Sequence, residues 1–456
     1  YLFDPFGASS FYSGSGYFIL YWVAISMSKT IIIIGAGLAG LSAALQAAEN
    51  GCNVKLVSSL PSERAQSVMA EGGINAALNT KDENDSPEEH FTDTIKAACG
   101  LADPNAVWGM TQAAPELVHW LLKLGVKFNM SGYDDVDLRN FGGQKKKRTA
   151  FAQSDTGKQI MTAMIDAVRR KEASGMVERF SHHSFLTLRL CGNICCGCVI
   201  RDEYSQETVE LPGDAVIVAT GGMHGLFGNT TGSLSNTGEV TAELFRLGVP
   251  LANGEMIQYH PTTVKCGGKR MLISEAARGE GGRLFALRNN QPWYFMEEKY
   301  PELGNLMPRD ITAREIWKAS HESEVFLDMT EISEEVISNK LSGLADDCMT
   351  YLHKDIRKEP VPVLPGIHYF MGGILVDEQH RTPIQNLYAA GECCAQYHGA
   401  NRLGGNSLLG ALYGGRVAAK SACEQADVVD LSCATQIDFP PASQISEIKQ
   451  LNKVMQ

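Results

Sequence analysis

The stretch Ile31-Ile32-Ile33-Ile34-Gly35-Ala36-Gly37-Leu38-Ala39-Gly40 decides the fold predicted for this chain. Four isoleucines predict a buried strand, and the small and apolar residues at 41–48 predict a helix directly after the glycines. In such a unit Gly35 allows the tight turn, Gly37 lets the backbone approach a pyrophosphate, and Gly40 lets helix and strand pack closely. The amides at the helix start also favour a negative charge. We therefore predict a dinucleotide-binding unit.

Length, composition and charge limit the class of protein. The chain has 456 residues, enough for two or three domains, and its 44% hydrophobic and 20% charged residues are ordinary for a globular protein. The formal net charge of −12 would repel nucleic acid and anionic membranes, so neither is expected as a direct partner. An anionic substrate therefore needs a local basic pocket. The basic run at 142–148 is interpreted as a solvated loop.

Twelve cysteines without a secretory signal favour reduced thiols in the cytosol over a disulfide framework. Four of them cluster at 191–198, in a β-rich stretch that turns at Gly192-Asn193. No second pair of ligands follows at zinc or cluster spacing. We therefore interpret the cluster as a hairpin with small buried thiols, and no metal site is predicted.

The N-terminal residues do not resemble the rest of the chain. Met27 stands just before the first strand, so residues 1–26 are expected to be an extension that is not part of the fold. A short hydrophobic interface segment is the alternative. The apolar residues 17–25 are too few to span a membrane.

Two later stretches repeat the first pattern. Residues 215–222 and 387–392 each predict a buried strand that ends in a glycine turn. The predicted fold is therefore α/β, with a discontinuous Rossmann-like domain formed by residues 27–253 and 366–430. Residues 254–365 are interpreted as an inserted α+β segment, with helices expected at 309–320, 333–344 and 346–354.

Six further motifs occur in order: Ala70-Glu71-Gly72-Gly73, His260-Pro261-Thr262, Arg278-Gly279-Glu280-Gly281-Gly282, Pro308-Arg309-Asp310, His368-Tyr369-Phe370-Met371-Gly372-Gly373 and Gly399-Ala400-Asn401-Arg402-Leu403-Gly404-Gly405-Asn406-Ser407-Leu408. With them, residues 29–425 resemble the flavoprotein subunit of fumarate reductase and succinate dehydrogenase, a family that includes L-aspartate oxidase. The resemblance implies an FAD-binding domain, an inserted capping domain, and an active site between the two. Family members continue into a C-terminal helical domain, so residues 431–456 are expected to be its truncated start.

The resemblance assigns one set of residues to FAD. Ser58 ends the second strand, where many nicotinamide-binding folds have an acidic residue, and this makes a nicotinamide cofactor less favoured. Glu239 stands where relatives have an aspartate that contacts the FAD ribose. Gln66 stands where members with covalent flavin have a histidine, so FAD is expected to bind non-covalently. The full set is Gly35, Ala36, Gly37, Leu38, Ala39, Gly40, Ser58, Ser67, Ala70, Glu71, Gly72, Gly73, Ala219, Thr220, Gly221, Glu239, Gly391, Glu392, Arg402, Ser407 and Leu408.

A second set is expected to bind a C4 dicarboxylate. Two carboxylates need strong donors, and Arg402, His260 and His368 are suited, since arginine offers a two-pronged fork. Ser274 replaces a substrate-binding threonine of the family and keeps the hydroxyl. The resemblance implies interconversion of fumarate and succinate by hydride transfer from flavin N5, with an arginine as proton donor at Arg309.

Glu275 and Arg278 match the proton-relay positions of the family, and their spacing of three puts them on one face of a helical turn. Each assignment has a structural alternative. Arg309 could simply open a helix, His260 could be a core histidine, and Glu275 with Arg278 could be an ordinary ion pair. Only the family order of the motifs favours the catalytic interpretation.

Two other functions stay open at this point. L-aspartate oxidase also binds FAD non-covalently, but it carries a glutamate for the substrate ammonium where this chain has Phe141, which favours fumarate or succinate. The other alternative is an electron-transfer subunit that is inactive without a partner. The family's usual partner is an iron–sulfur subunit. The chain is expected in the cytoplasm or at the inner face of the cell membrane, held there only through partners.

Overall fold

The computed structural model describes residues 28–133 and 135–427. The predictions for residues 1–26 and 431–456 lie outside the described residues. The α-helices of the described part are α1 (Leu38–Glu49), α2 (Pro87–Ala98), α3 (Pro104–Leu124), α4 (Thr156–Ala173), α5 (Glu239–Arg246), α6 (Glu275–Gly279), α7 (Phe295–Lys299), α8 (Arg309–Ala319), α9 (Glu334–Lys340), α10 (Ser342–Asp347) and α11 (Asn406–Gln425).

The strands of the same part are β1 (Thr30–Ile34), β2 (Asn53–Ser58), β3 (Ile74–Asn75), β4 (Leu138–Arg139), β5 (Thr149–Ala150), β6 (Val177–Ser181), β7 (His183–Cys191), β8 (Ile194–Asp202), β9 (Thr208–Pro212), β10 (Ala215–Val218), β11 (Leu251–Ala252), β12 (Ile257–Cys266), β13 (Lys269–Leu272), β14 (Arg283–Arg288), β15 (Gln291–Trp293), β16 (Val325–Asp328), β17 (Val361–Pro362), β18 (Leu364–Phe370), β19 (Gly373–Leu375), β20 (Leu387–Ala389) and β21 (Cys394–Ala395).

A five-stranded parallel sheet carries the first glycine turn. Its order is β20-β10-β1-β2-β6, and every pair of neighbours is parallel. β1 and β10 are buried along their apolar residues, as expected for central strands of a parallel sheet covered on both faces. α1 and α11 pack together against this sheet. The predicted α/β fold with a Rossmann-like domain is confirmed.

Gly35 and Gly40 determine how closely α1 approaches β1. Gly35 has a φ of +110°, which disfavours any side chain, and a Cβ on it would lie 2.2 Å from the Ala219 carbonyl oxygen. A Cβ on Gly40 would lie 1.9 Å from the Gly35 carbonyl oxygen. The glycines therefore allow the helix start and the strand end to touch through backbone atoms, as predicted.

The chain leaves the parallel sheet after β10 and returns to it at β20. Between them lie two antiparallel sheets, β13-β12-β18 and β15-β14-β16-β17, with a hydrophobic core of their own. An inserted α+β region is therefore present. The predicted domain limit at 365/366 falls within β18, which pairs with β12. The domain limits themselves stay a prediction.

Three local expectations changed. The helices expected at 333–344 and 346–354 are instead α9, α10 and a π-helical turn at Cys348–Leu352, because the buried Leu341 leaves helical geometry between α9 and α10. The basic run at 142–148 is not a fully solvated loop. Arg148 is fully buried, bonded to Asp85 at 2.8 Å and Asp93 at 3.0 Å, while Lys145 and Lys147 are exposed.

The cysteine cluster forms the predicted hairpin of β7 and β8, and Cys195, Cys196 and Cys198 are buried free thiols as predicted. The prediction was wrong for Cys191, which is half-buried and disulfide-bonded. Among the described residues no group of histidines, cysteines and carboxylates has a metal-binding arrangement. None of the helices described above is both long and apolar enough to cross a membrane.

Candidate active site

One cavity of about 560 Å³ joins the glycine turn after β1 to the inserted region. Except for Gly40, which packs behind it, every residue assigned to FAD lines this cavity. Of the substrate and catalytic residues, all but Arg278 line the same cavity: Phe141, His260, Ser274, Glu275, Arg309, His368 and Arg402. The structure thus brings together two groups of residues that the sequence keeps far apart.

The glycine end of the cavity fits a phosphate-bearing cofactor. α1 begins after Gly37, which has no side chain to cap the helix, and its first amides form the positive end of the helix dipole. Ser67 Oγ lies 3.3 Å from the Leu38 amide, which donates to it. The Ser58 hydroxyl is buried at the cavity and has no hydrogen-bond partner in the described structure. A cofactor with phosphate and ribose oxygens would use these groups.

Arg139 supports the loop at Glu71-Gly72-Gly73 and was not predicted. Its guanidinium donates to the carbonyl oxygens of Glu71 (3.2 Å) and Gly72 (2.5 and 3.0 Å). Burial, followed by the charge of Asp347, raises the pKa of Glu71 to about 8. This end of the cavity therefore holds a carboxyl group whose charge is suppressed. No local pattern marks Arg139, because Glu71 and Gly72, whose carbonyls it binds, lie almost 70 positions away.

At the other end Glu275 lies between two buried arginines. Arg309 Nε donates to Glu275 Oε2 at 2.8 Å, and Arg309 Nη2 lies 2.6 Å from the same oxygen. Arg278 Nη2 lies 3.5 Å from Glu275 Oε1, which also accepts the Gly142 amide at 2.9 Å. The side chain of Ser274 caps α6, and this orients Glu275 at its start. Arg309, Glu275 and Arg278 thus form one continuous buried row.

The charges of this row stabilise one another. Burial alone would raise the pKa of Glu275, but Arg309, Arg278 and the Gly142 amide together lower it. Burial is the main cause that lowers the pKa of Arg278. Glu275 therefore remains a carboxylate at neutral pH, held in place by two guanidinium groups.

Gln258 on β12 was missed by the sequence analysis. Its Oε1 accepts from Arg309 Nη1 at 3.1 Å, and its Nε2 donates to the Arg402 carbonyl at 2.8 Å. It therefore links the proposed proton donor to the proposed carboxylate clamp. A single glutamine in a strand carries no motif from which this role could be predicted.

Among the described residues, Arg402 is a buried cation that has no carboxylate partner. It is 3% exposed, its guanidinium lies 4.5 Å from the Tyr369 ring, and its Nη1 donates to the Leu403 carbonyl at 3.2 Å. Its Nε has no partner in the described part of the chain. Burial and the nearby Arg309 charge lower its pKa to about 9, so it remains charged at neutral pH. A buried charge without a carboxylate at ion-pair distance is costly, so an anion in the cavity would stabilise it.

His260 and His368 lie side by side near this cation, with ring centroids 5.0 Å apart. Burial, together with the surrounding positive charges, lowers the pKa of both well below 6.5, so both are neutral at pH 7. Thr231 Oγ1 lies 2.8 Å from His368 Nδ1 and so holds the ring through that atom. The two rings therefore offer hydrogen bonds rather than charge.

Phe141 is almost fully buried at the boundary of the two ends. A Cβ on Gly72 would lie 2.9 Å from its ring, and a Cβ on Gly404 would lie 2.6 Å from it. The ring therefore fills space between two glycine backbones. It carries no charge that could meet a substrate ammonium group.

His224 is a further residue that the sequence analysis missed. It is fully buried, its Nε2 lies 3.0 Å from Glu392 Oε1, and its Nδ1 lies 2.8 Å from Thr230 Oγ1. Glu392 also accepts the Phe370 amide at 2.9 Å. His224 therefore orients a carboxylate that lines the cavity near the second glycine turn.

Comparisons with known proteins agree with this geometry. The family model for an FAD binding domain matches residues 30–408. The chain is 43% identical to the succinate dehydrogenase flavoprotein subunit of Bacillus subtilis over 89% of this chain and 70% of that protein. It is 34% identical to the 8-methylmenaquinol:fumarate reductase flavoprotein subunit of Wolinella succinogenes, over 93% of this chain and 70% of that protein.

The fold is also that of a solved relative. E. coli quinol fumarate reductase superposes with a TM-score of 0.81 at 29% identity, over 93% of this chain and 74% of that one. Because sequence, family model and fold agree, FAD is the cofactor and the protein is an oxidoreductase. The chain belongs to the family of succinate dehydrogenase and fumarate reductase flavoprotein subunits.

Proposed function

We propose that this chain interconverts fumarate and succinate. One observation carries the proposal: Arg402 is buried beside the row Arg309–Glu275–Arg278 and has no carboxylate partner in the part of the chain that the structure describes. The row and Arg402 together hold three guanidinium groups and one carboxylate, so two positive charges are left for a ligand. A dicarboxylate dianion matches this charge, and burial makes the match strong.

The substrate would be held by hydrogen bonds from several elements. The Arg402 fork binds one carboxylate, and His260, His368 and the Ser274 hydroxyl bind the rest. Neutral histidines add donors without adding charge, which keeps the two anionic groups of the substrate matched to the two spare cations. Phe141 closes the cavity without a charge, which favours a substrate that has no ammonium group.

Proton transfer would fall to Arg309. An arginine is a weak acid, with a pKa above about 12, but hydride addition to fumarate leaves a strongly basic carbon beside a carboxylate. FAD, when bound, supplies that hydride from N5. Arg309 is then reprotonated through Glu275, which it contacts at 2.6 Å, and Arg278, which lies 3.5 Å from the other oxygen of that carboxylate.

The cofactor would be held without a covalent bond. Gln66 lines the cavity where family members with covalent flavin carry a histidine. An amide is no nucleophile for the flavin, so the binding rests on the glycine turns and on the side chains around them. Protein denatured in acid should therefore release all of its flavin into the supernatant.

Electrons would come from a partner. The relatives reported above are named as subunits, and no metal-binding group occurs among residues 28–133 and 135–427. We infer an iron–sulfur subunit as the electron carrier, through which the chain would be held at the inner face of the cell membrane. Copurification of the native complex, with iron analysis, tests this part.

One anaerobic experiment tests the reaction. The purified holoprotein is reduced chemically, fumarate is added, and the return of the oxidised flavin absorbance is followed. Rapid return supports the proposal, and the reverse titration with succinate shows which direction is faster. No response to either acid would refute the proposal.

A further inference from the structure

Asn75 follows the Glu71-Gly72-Gly73 loop directly, on β3. It is fully buried, and it does not line the main cavity. β3 pairs with β5, and in this pairing Asn75 lies opposite Thr149. The position of Asn75 is therefore fixed with respect to the loop that is assigned to FAD. The sequence analysis did not single out this residue.

Asn75 also binds the loop that carries Arg402. Its backbone amide donates to the Gly405 carbonyl at 3.2 Å, and its Nδ2 donates to the Gly404 carbonyl at 2.8 Å and to Asn406 Oδ1 at 2.7 Å. A Cβ on Gly405 would lie 2.1 Å from Asn75 Oδ1, so the side chain and the loop are in direct contact. Three hydrogen bonds from one residue therefore hold the chain two to four positions after Arg402.

Two neighbouring side chains fix the orientation of the Asn75 amide. Thr149 Oγ1 donates to Asn75 Oδ1 at 2.6 Å. Gln144 Nε2 donates to the same oxygen at 3.3 Å and to the Gly404 carbonyl at 2.8 Å. Both donors are buried, and hydrogen bonds are electrostatically stronger in such surroundings than in water. The amide therefore cannot rotate without breaking bonds at both its oxygen and its nitrogen.

The position of this loop determines where the guanidinium of Arg402 lies. Gln258 Nε2 donates to the Arg402 carbonyl at 2.8 Å, and Arg402 Nη1 donates to the Leu403 carbonyl at 3.2 Å. The guanidinium thus rests on the same short stretch of backbone that Asn75 binds. Reacting atoms must lie about 3–3.5 Å apart, and a misplacement of about 1 Å can cost about a hundredfold in rate. A small shift of this loop would therefore matter for the reaction.

We propose that Asn75 is a positioning residue that fixes the place of the Arg402 carboxylate clamp with respect to the flavin ring. This inference rests on the proposed function. Asn75 joins the loop assigned to FAD to the loop that binds the substrate, and it acts through the backbone of Gly404 and Gly405. Its loss should therefore lower the rate of hydride transfer more than the affinity for a dicarboxylate.

Two substitutions test this role. Asn75→Asp keeps the oxygen that accepts from Thr149, but it replaces the Nδ2 donor by a second acceptor, which repels the Gly404 carbonyl. Asn75→Ser removes the amide without adding a charge, so it serves if the aspartate variant does not fold. The matched control is Asn386→Asp. Asn386 is also buried, its Nδ2 donates to the Asp427 carbonyl at 2.9 Å, and it does not line the main cavity.

Three quantities are measured for each holoprotein. They are the rate of reduction at saturating fumarate, the dissociation constant of malonate, which is an unreactive dicarboxylate, and the change that malonate causes in the flavin absorbance spectrum. The temperature of thermal unfolding is measured beside them. A residue with a merely structural role would change the unfolding temperature and leave the other three quantities at the wild-type level.

We expect both Asn75 variants to lose about 30- to 100-fold in rate, while the dissociation constant of malonate stays within about threefold of the wild-type value. The malonate-induced change in the flavin spectrum should differ from that of the wild type. Asn386→Asp should lower the unfolding temperature and leave the three quantities unchanged.

Wild-type rates in the Asn75 variants would overturn the inference. Equal losses of rate and of malonate affinity would overturn it too, because they would show that Asn75 supports binding rather than position. Absence of fumarate turnover in the wild type would overturn the proposed function by itself, and the malonate spectra would then decide the inference alone.

Discussion

The two ends of the main cavity are built in different ways. The glycine end consists of backbone and short side chains at strand ends, contributed by turns such as Gly35 to Gly40. The guanidinium end consists of long charged side chains from α6, α8 and the loop before α11, together with neutral polar side chains from β12. These side chains contact one another: Arg309, for example, donates hydrogen bonds to Glu275 and to Gln258.

Under the proposed function this difference separates two tasks. The glycine end offers a close-fitting backbone and the amides of a helix start, which can bind the phosphates of a cofactor, so it would determine cofactor binding. The guanidinium end offers a fixed set of buried charges, so it would determine which substrate reacts. Variants at one end should therefore change one measured quantity and leave the other unchanged.

The largest expected effect is at the guanidinium end. Arg309→Ala should lower fumarate turnover by at least about a thousandfold, since it removes the proposed proton donor. Flavin content should remain that of the wild type, because Arg309 does not form the glycine end. Stopped-flow flavin reoxidation and the flavin absorbance of the purified protein measure the two quantities.

Arg314→Ala is the matched control, since Arg314 lies on the same helix with a side chain that is 60% exposed. It should leave both quantities unchanged. If Arg309→Ala retained most of its turnover, Arg309 would not be the proton donor. If it lost its flavin, the two ends would not be independent.

Glu275→Gln should cost about 3 kcal/mol of unfolding free energy at pH 7, because it leaves Arg278 and Arg309 buried without their anion. The pKa of Glu275 is lowered from its ordinary value near 4.5. The ionised Glu275 therefore stabilises the fold fully above about pH 4.5. This stabilisation is lost as the pH falls through the lower pKa that Glu275 has in the folded state.

Denaturant titrations at several pH values measure this effect. Below pH 4.5 the wild type should approach the variant. Glu280→Gln serves as the control, since it breaks only the more accessible pair with Lys340. A pH-independent difference between wild type and Glu275→Gln would contradict the charge assignment.

Gly35→Ala should act on the glycine end alone. Its Cβ would lie 2.2 Å from the Ala219 carbonyl oxygen, so the glycine turn must shift. We expect this shift to cost about 2 kcal/mol of FAD-binding free energy, which weakens FAD binding about 30-fold. Fluorescence titration of the apoprotein with FAD measures the affinity. Gly254→Ala, where nothing lies within 4 Å of the new Cβ, should bind FAD normally. Equal losses in both variants would argue against a specific backbone approach at Gly35.

Ser58→Ala should have the smallest effect. The Ser58 hydroxyl is buried and has no hydrogen-bond partner among the described residues, so its removal should not destabilise the apoprotein. FAD affinity should fall about fivefold if the cofactor forms a hydrogen bond to this hydroxyl. Ser42→Ala should destabilise the apoprotein and leave FAD affinity unchanged, because Ser42 Oγ donates to the Leu412 carbonyl at 2.7 Å inside the protein. Thermal unfolding of the apoproteins and FAD titrations would show whether this contrast holds.

The sequence allowed the glycine end to be predicted because its signals are local. Strand, turn and helix lie within Ile31 to Gly40, and each glycine has a stereochemical reason that can be stated in advance. At the guanidinium end the residues come from distant segments, and only their family order favoured a shared site. Gln258, Arg139 and His224 were missed because each acts through partners far along the chain.

The errors have the same origin. Arg148 looked like part of a solvated basic run because its buried partners Asp85 and Asp93 lie more than fifty positions earlier. The helix boundary near Leu341 depends on burial of that side chain, which no local propensity reports.

The late return of the chain to the parallel sheet has a consequence for biosynthesis. β10 pairs with β20, and residues 219–386 must be synthesised before that partner strand exists. Until then the apolar edge of β10 is open, and an unpaired strand edge is prone to aggregation. Because closing such long loops is slow, the nascent chain should depend on chaperones until β20 leaves the ribosome. Expression at low temperature should therefore raise the yield of folded protein.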